Sequence, residues 1–414
     1  MKYKYSQSGF SIVELMIAIF IGLIVLTGLV TVFETTATLN RTQNGLARLQ
    51  ENGRFITLQM KNALDQAGYQ YCLSSTGGER SSVAFDALAG QYGNFVSKIE
   101  PWRVLGGQEV FPGVPVGPLF DPRHFIHGHE CGESTCLPDF TSAGTDTSYL
   151  IPGIGVGDGD RIAGTDVLTV RYISGRGRAV SLINDRVELA TTQTLVYDTR
   201  EDLGSTIQFP SNNTPILIAS CSLEQQHVVT TLIAGDANVA TFASPEIEPV
   251  NGVRPLVRVF DLTKDIRNIT YYVANNIVNG RDVPTLYSVD NGTVNALIEG
   301  VDRFDVLYTI QTAIKGGYLV LDAQGVDELP VDSCTTDSAD LLNTPGCGWR
   351  SVVSIEFHLL LNTVQNSSNS ENEAFFYSID GDQAQTAADL PSPINHYNLH
   401  RREFYSVVAT KNWN

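Results

Sequence analysis

The feature that most constrains this chain is an unbroken apolar run, Leu15–Phe33, with a lone carboxylate, Glu14, at its leading edge. These nineteen residues include no Pro and no charged side chain. As a helix they rise about 28 Å, enough to cross the hydrocarbon core of a bilayer. A cleavable secretory signal would place a small-x-small cleavage site after such a run, and none follows here. The basic residues Lys2 and Lys4 lie ahead of it. A carboxylate bordering an apolar segment is costly to bury without a partner, so Glu14 is a candidate functional residue.

Past Phe33 the pattern turns amphipathic without a break. Leu46, Leu49, Gly53, Ile56, Met60, Ala63 and Ala67 recur at three- and four-residue steps. Arg41, Arg48, Glu51, Arg54, Lys61 and Asp65 largely take other faces. No Pro occurs before Pro101. One helix over residues 10–67, about 87 Å long, is predicted. Gly45 and Gly53 are its weak points, each costing about 1 kcal/mol relative to Ala. Gly68 is the predicted stop.

Beyond Gly68 the helical period disappears. Short runs rich in Val, Ile, Tyr and Leu follow, punctuated by Gly, Pro, Asn and Asp. Strands are predicted over Val167–Ile173, Val180–Leu189, Thr194–Tyr197, Pro215–Ala219, Val228–Ile233 and Leu256–Phe260. They continue over Ile269–Val273, Thr285–Val289, Phe304–Ile310, Tyr318–Leu321, Val352–Leu361 and Phe404–Ala409. Val352–Leu361 turns continuously apolar, which predicts a central strand. Residues 73–165, 323–350 and 363–373 read as loops or insertions. No internal repeat and no domain boundary within the head is evident.

The stretch Ser8-Gly9-Phe10-Ser11-Ile12-Val13-Glu14 resembles the prepilin signal of type IV pilins and type II secretion pseudopilins. The resemblance implies cleavage by a prepilin peptidase between Gly9 and Phe10, N-methylation of Phe10, and a role for Glu14 in subunit assembly. It divides the chain into a leader (1–9), a membrane and assembly helix (10–33), the amphipathic part of the spine (34–68) and a head (69–414). The insertions near 73–165 and 323–350 belong to the head. The implied fold is α+β and pilin-like, a long N-terminal helical spine packed on a large β-rich head.

Further spaced blocks are similar to the PilW family of minor type IV pilins. They are Ala67-Gly68-Tyr69 ahead of Cys72, Gly164–Tyr172, Ala219-Ser220-Cys221-Ser222, Thr270–Asn275, Leu297–Asp302 leading to Leu307-Tyr308, and Arg401–Tyr405 with Lys411-Asn412. Tyr71 stands where that family usually has Gly. The resemblance implies a minor pilin that primes assembly at or near the pilus tip and supports twitching motility and adhesion. Implied partners are other minor pilins, the major pilin and a PilY-type tip protein. The implied location is the inner membrane with the head in the periplasm, then the surface pilus of a Gram-negative bacterium. There are two alternatives: a J-type pseudopilin of a type II secretion system, which shares the plan, and, from a different class, an adhesive or ligand-binding tip module.

The Glu14 role has a physical basis. A carboxylate among apolar helices seeks a positive partner, and the freed amine of Phe10 on a neighbouring subunit would supply one. With 27 basic and 45 acidic residues, the chain has a formal net charge of −18. That balance repels phosphates, so direct nucleic-acid binding is not expected.

Six cysteines in an exported chain point to disulfides and allow 15 connectivities. Sequence proximity favours Cys131–Cys136 and Cys334–Cys347, leaving Cys72 with Cys221. The run His124-Phe-Ile-His127-Gly-His129-Glu-Cys131 … Cys136 invites a zinc reading. Its spacing is not a familiar zinc pattern, and a bridge is preferred in an oxidising compartment. The acidic turns Gly157-Asp158-Gly159-Asp160 and Asp380-Gly381-Asp382 lack the rest of a calcium loop and read as ordinary turns. No nucleophile elbow or Gly-rich phosphate loop stands out, so no enzyme, cofactor or metal is expected.

Overall fold

The structure is a computed structural model. It describes residues 11–69, 125–140, 151–175, 264–311, 317–330, 347–365, 373–390 and 398–411, with the backbone of further short strands between 109 and 261. One helix, α1 (Ile12–Gln66), forms the spine, and within the predicted span neither Gly45 nor Gly53 breaks it. It spans about 82 Å. Ser11 caps its start, the side chain accepting a hydrogen bond from Val13 N. The chain leaves the helix at Gly68, whose φ of 69° is the left-handed turn that Gly adopts without a Cβ clash.

The strands come in chain order. First are β1 (Glu109–Phe111), β2 (Val114–Pro115), β3 (Ile126–Cys131), β4 (Cys136–Leu137) and β5 (Val167–Ile173). Next are β6 (Arg178–Leu182), β7 (Thr192–Tyr197), β8 (Ile216–Ser220), β9 (Gln225–Val229), β10 (Ile233–Ala234), β11 (Val239–Ala243) and β12 (Val257–Asp261). The last are β13 (Ile266–Val278), β14 (Arg281–Asp290), β15 (Thr293–Glu299), β16 (Val301–Gln311), β17 (Tyr318–Leu321), β18 (Val352–Asn362) and β19 (Arg401–Ala409). Among the described residues they form a small β1–β2 pair and three larger antiparallel sheets. Strand orders are β10-β11-β7-β6-β12-β8-β9, β15-β14-β13-β5-β3-β4 and β17-β16-β18-β19.

Every predicted strand coincides with or overlaps an observed one. Tyr318–Leu321 and Val167–Ile173 match end to end. The β13–β14–β15 meander turns at Asn279-Gly280 and Asn291-Gly292, all four residues at positive φ. Asn-Gly tolerates that backbone in two-residue hairpin loops. As predicted, β18 is internal, between β16 and β19, with Phe357 through Leu361 buried.

Two tracts read as loops carry core elements instead. Within 73–165, β3 lies inside the six-stranded sheet and pairs with β5, Ile126 opposite Val170. Its sequence hides this because imidazoles occupy interior positions. His127 stacks on Trp349 with ring centroids 4.7 Å apart, and His129 lies 4.4 Å from Phe140. Gly128 sits between them because a Cβ there would fall 1.9 Å from Tyr308 Oη. Within 323–350, the helices α2 (Ala323–Asp327) and α3 (Cys347–Arg350) send Ala323, Val326 and Trp349 into the core. Four- and five-residue helices are too short to show a helical period. Most of the 363–373 tip lies outside the described residues.

The spine and two sheets share one core. Leu49, Ile56, Met60, Ala63 and Leu64 of α1 join Leu168, Val170 and Tyr271 of one sheet and Phe304, Val306, Ile355, Phe357 and Val408 of the other. The predicted seam is buried from Leu49 on, with Leu46 half-buried and Leu64 an addition. The helix packs mainly along β19.

Candidate functional site

The candidate site is the N-terminal half of the spine, with the joint that fixes the spine to the head. Gly9 and Phe10 lie outside the described residues. Glu14 stands in the first turn of α1, where the helix dipole favours a negative charge. From Ile12 to Phe33 the large apolar side chains are 48–79% exposed, on every face of the helix. Such a surface exceeds what a soluble monomer leaves in water. It requires lipid or the helices of other subunits.

Threonine hydroxyls of this half are satisfied within the helix itself. Thr27, Thr35 and Thr36 donate their hydroxyls to the carbonyls of Leu23, Thr31 and Val32, at 2.8, 2.8 and 2.7 Å. An apolar medium demands this of any hydroxyl it surrounds.

The joint has three ties. Gly68 N donates to Arg171 O at 2.8 Å, and Ile173 N donates to Tyr69 O at 2.8 Å, so the end of the spine leads into the edge of β5. Lys411 Nζ meets Asp65 Oδ1 at 2.9 Å. Phe404 of β19 lies flat on the helix at Gly53, where a Cβ would come within 2.3 Å of the ring. The glycine that reads as a helix defect is the place where the spine lets the last strand approach.

Below the joint, buried charges bind segments distant in sequence. Asp302 accepts from Arg401 Nε and Asn362 Nδ2, each at 2.7 Å. Burial pushes its carboxyl up to about 6, against the pull of Arg401 and Asn362. Asp166 accepts from Cys131 N at 3.2 Å and Val306 N at 2.9 Å, linking β3 to β16. Burial, then the nearby Glu130 and Asp305 carboxylates, push it well above the ordinary carboxylate range. Asp166, Asp302 and Arg401 fall within the blocks of family resemblance, but sequence reasoning gave them no role. Their partners lie 35 to 140 positions away, and no local pattern marks them.

The histidine–cysteine run resolves into structure. Cys131 and Cys136 form the predicted bridge. His129 Nδ1 donates to Pro138 O at 2.7 Å, and burial lowers its imidazole to about 4, so it is neutral at pH 7. Cys72, Cys221 and Cys334 lie outside the described residues, as does the side chain of Cys347. The acidic turns brace loops. Asp158 Oδ1 accepts from Ile277 N at 2.8 Å, Asp160 Oδ2 accepts from Gly157 N at 2.8 Å, and Asp380 pairs with Arg303. Among the described residues no three His, Cys, Asp or Glu side chains gather where they could share a metal ion.

Among the described residues one serine–histidine contact occurs, Ser378 Oγ to His358 Nδ1 at 3.1 Å. Glu403 holds the same nitrogen at 2.7 Å and also accepts from Ser378 Oγ. The hydroxyl is therefore engaged by a carboxylate rather than presented to a free base.

Two family models match the chain. The one described as type IV pilus-assembly protein W covers residues 270–412, from β13 through β19. The one described as the prokaryotic N-terminal methylation motif covers residues 4–30, spanning Gly9, Phe10 and Glu14. The blocks at 67–69, 164–172 and 219–222 lie outside both matches. No curated protein and no solved structure matches the chain.

Proposed function

We propose that this chain, which belongs to the PilW family of type IV pilins and carries a prepilin-type N-terminus, primes pilus assembly from a position at or near the fibre tip. Its methylation motif and apolar helix are those of a pilin anchored in the inner membrane and later taken into the pilus. That context brings it together with other pilins and a prepilin peptidase. The finer reading adds processing at Gly9–Phe10, contact with a PilY-type tip protein, and support of twitching motility and adhesion.

The observation that carries the reading is Glu14 in the first turn of a helix whose apolar surface is open all round. A subunit with nothing above it has no amine to pair with and no need of this carboxylate. A chain that keeps it is built to receive at least one subunit above it. The pair would set axial register and lower the cost of leaving the bilayer. Glu14→Ala should insert and be cleaved normally but enter fibres poorly, giving fewer surface pili. Wild-type amounts of the variant in sheared pili would refute the pairing role. Deleting the gene should reduce surface pili. Loss of type II secretion with normal pili would favour the pseudopilin alternative.

A further inference from the structure

The Cys131–Cys136 bridge sits in an asymmetric electrostatic setting. Arg161 is 2% exposed, and its Nη2 donates to Cys136 Sγ at 3.0 Å. The Asp166 carboxylate acts on it through space, and its other hydrogen bonds are weak for a buried guanidinium. Nη1 reaches Thr165 O at 3.4 Å, the Phe140 ring centre lies 5.6 Å from Cζ, and Nε has no hydrogen-bond partner among the described residues. A neutral disulfide sulfur is a poor acceptor for a buried cation, whereas a thiolate is a good one.

The other sulfur lies against a carbonyl oxygen rather than a guanidinium. The Cys131 backbone N–H is held by the Asp166 carboxylate at 3.2 Å, Cys131 Sγ lies 3.5 Å from His129 O, and Glu130 is its chain neighbour. Burial, with Asp322 and Asp305 adding repulsion, raises Glu130 to about 7. Of the other groups nearby, His129 is neutral and Asp139 is exposed. Arg161 thus contacts Cys136 Sγ directly, whereas at Cys131 the Asp166 carboxylate, which also acts on Arg161, holds the backbone N–H.

We infer that Cys131–Cys136 is a redox-responsive bridge in which Cys136 is the leaving sulfur, held as a thiolate by Arg161 once the bridge opens. The co-reactant is a dithiol, of the class carried by thiol–disulfide oxidoreductases. One thiolate of the dithiol bonds to Cys131 Sγ. The S–S bond breaks, and its electron pair leaves on Cys136 Sγ beside Arg161. The second thiol of the dithiol then displaces Cys131. The dithiol ends as a disulfide, Cys131 ends as a thiol, and one proton passes to solvent. Two electrons have moved from the dithiol to the bridge. The better-stabilised thiolate is the better leaving group, which fixes the direction of attack. The consequence reaches the head's interior, because Asp166 ties Cys131 N to Val306 N across the two sheets.

The test uses the full chain in detergent. In Cys131→Ser, the alkylation rate of the Cys136 peptide is followed against pH by mass spectrometry. A midpoint at least about one unit below the ordinary thiol value of about 8.5 is expected, because an adjacent opposite charge shifts a pKa by roughly 1–3 units. The midpoint should rise when Arg161→Gln is added and stay low with Arg161→Lys. In the otherwise unchanged chain, Arg161→Gln should need about tenfold more reduced over oxidised dithiol for half-reduction. A Cys136 midpoint at or above the ordinary value with Arg161 in place overturns the inference. So does equal half-reduction of Arg161→Gln and the wild-type chain. Should Arg161→Gln fail to fold, the Cys131→Ser titration decides alone.

Discussion

Replacing Gly53 by Ala sets two effects of comparable size against each other. In an open helical position the change stabilises by about 1 kcal/mol, through backbone entropy and helix propensity. At Gly53 the new Cβ would stand 2.3, 2.4 and 2.5 Å from Cε1, Cζ and Cδ1 of Phe404. Carbon atoms rest at roughly 3.5–4.0 Å, so ring and helix would have to part by about 1 Å or more. Phe404 is half-buried on β19, the strand that packs along the spine. Overpacking of this kind costs about 1–3 kcal/mol. The net expectation for Gly53→Ala is a loss of roughly 0–2 kcal/mol.

The sign should reverse once the ring is gone. In a Phe404→Ala background the same Gly53→Ala change meets no clash and should stabilise by about 1 kcal/mol. The coupling between the two positions is then about 1–3 kcal/mol, within the range for residues in direct contact. Urea unfolding of the full chain in detergent micelles, for both single variants, the double variant and wild type, closes the cycle. If Gly53→Ala stabilises both backgrounds equally, Phe404 does not rest on the helix at this point.

Further outcomes follow from the same reasoning. Gly9→Val should leave the chain uncleaved, because a Cβ at the scissile bond keeps the peptidase off the backbone; N-terminal sequencing reads this directly, and normal cleavage would sink it. Acid should weaken the head through His129: below its unfolded pKa of about 6.5 the unfolded chain binds the proton that the folded chain refuses until about 4. The loss over that window is roughly 3 kcal/mol, and His129→Asn should flatten the unfolding-versus-pH curve there. Asp302 acts oppositely, its stabilising share being full below about 3.8 and lost as pH rises towards 6, so Asp302→Asn should remove that slope. A Cys72–Cys221 bridge would close about 150 residues and contribute at most roughly 4–5 kcal/mol, and non-reducing peptide mapping that joins Cys72 elsewhere refutes it.

The parts of this fold that could be read in the sequence are those whose energetics are local and periodic. An apolar stripe at three- and four-residue steps is a helix face wherever it packs, and Leu49 through Ala67 proved to be that face. Short β-branched and aromatic runs between turn residues are strands whichever sheet takes them. The readings failed where an interior position is filled by a residue type that usually signals something else. Residues 73–165 read as a loop, yet His127 and His129 take interior positions of β3, packed on Trp349 and Phe140. Burial lowers the pKa of His129 far below neutrality, so that ring enters the core uncharged.

The assembly segment and the joint differ in legibility for a related reason. Glu14 is conspicuous because everything after it, up to Glu34, is uncharged, so one residue carries the whole contrast. The joint has no such contrast. Gly53 looks like a defect, Lys411 and Asp65 are ordinary surface charges, and Gly68 needs Arg171, a hundred residues away, to become a tie. Yet a force applied along a fibre would enter through the apolar half of α1 and pass to the head where the helix is held. Of the three ties, the exposed Lys411–Asp65 pair carries least, because solvent screens it. The Phe404 contact at Gly53 lies within the buried face, from Leu49 to Ala67, and the main-chain bonds at Gly68 and Tyr69 close its end, where separation would expose the shared core of both sheets. Load is therefore borne by the length of the seam rather than by any single bond. A spine that shifts along its axis must break the contacts of Ile56, Met60 and Ala63 together.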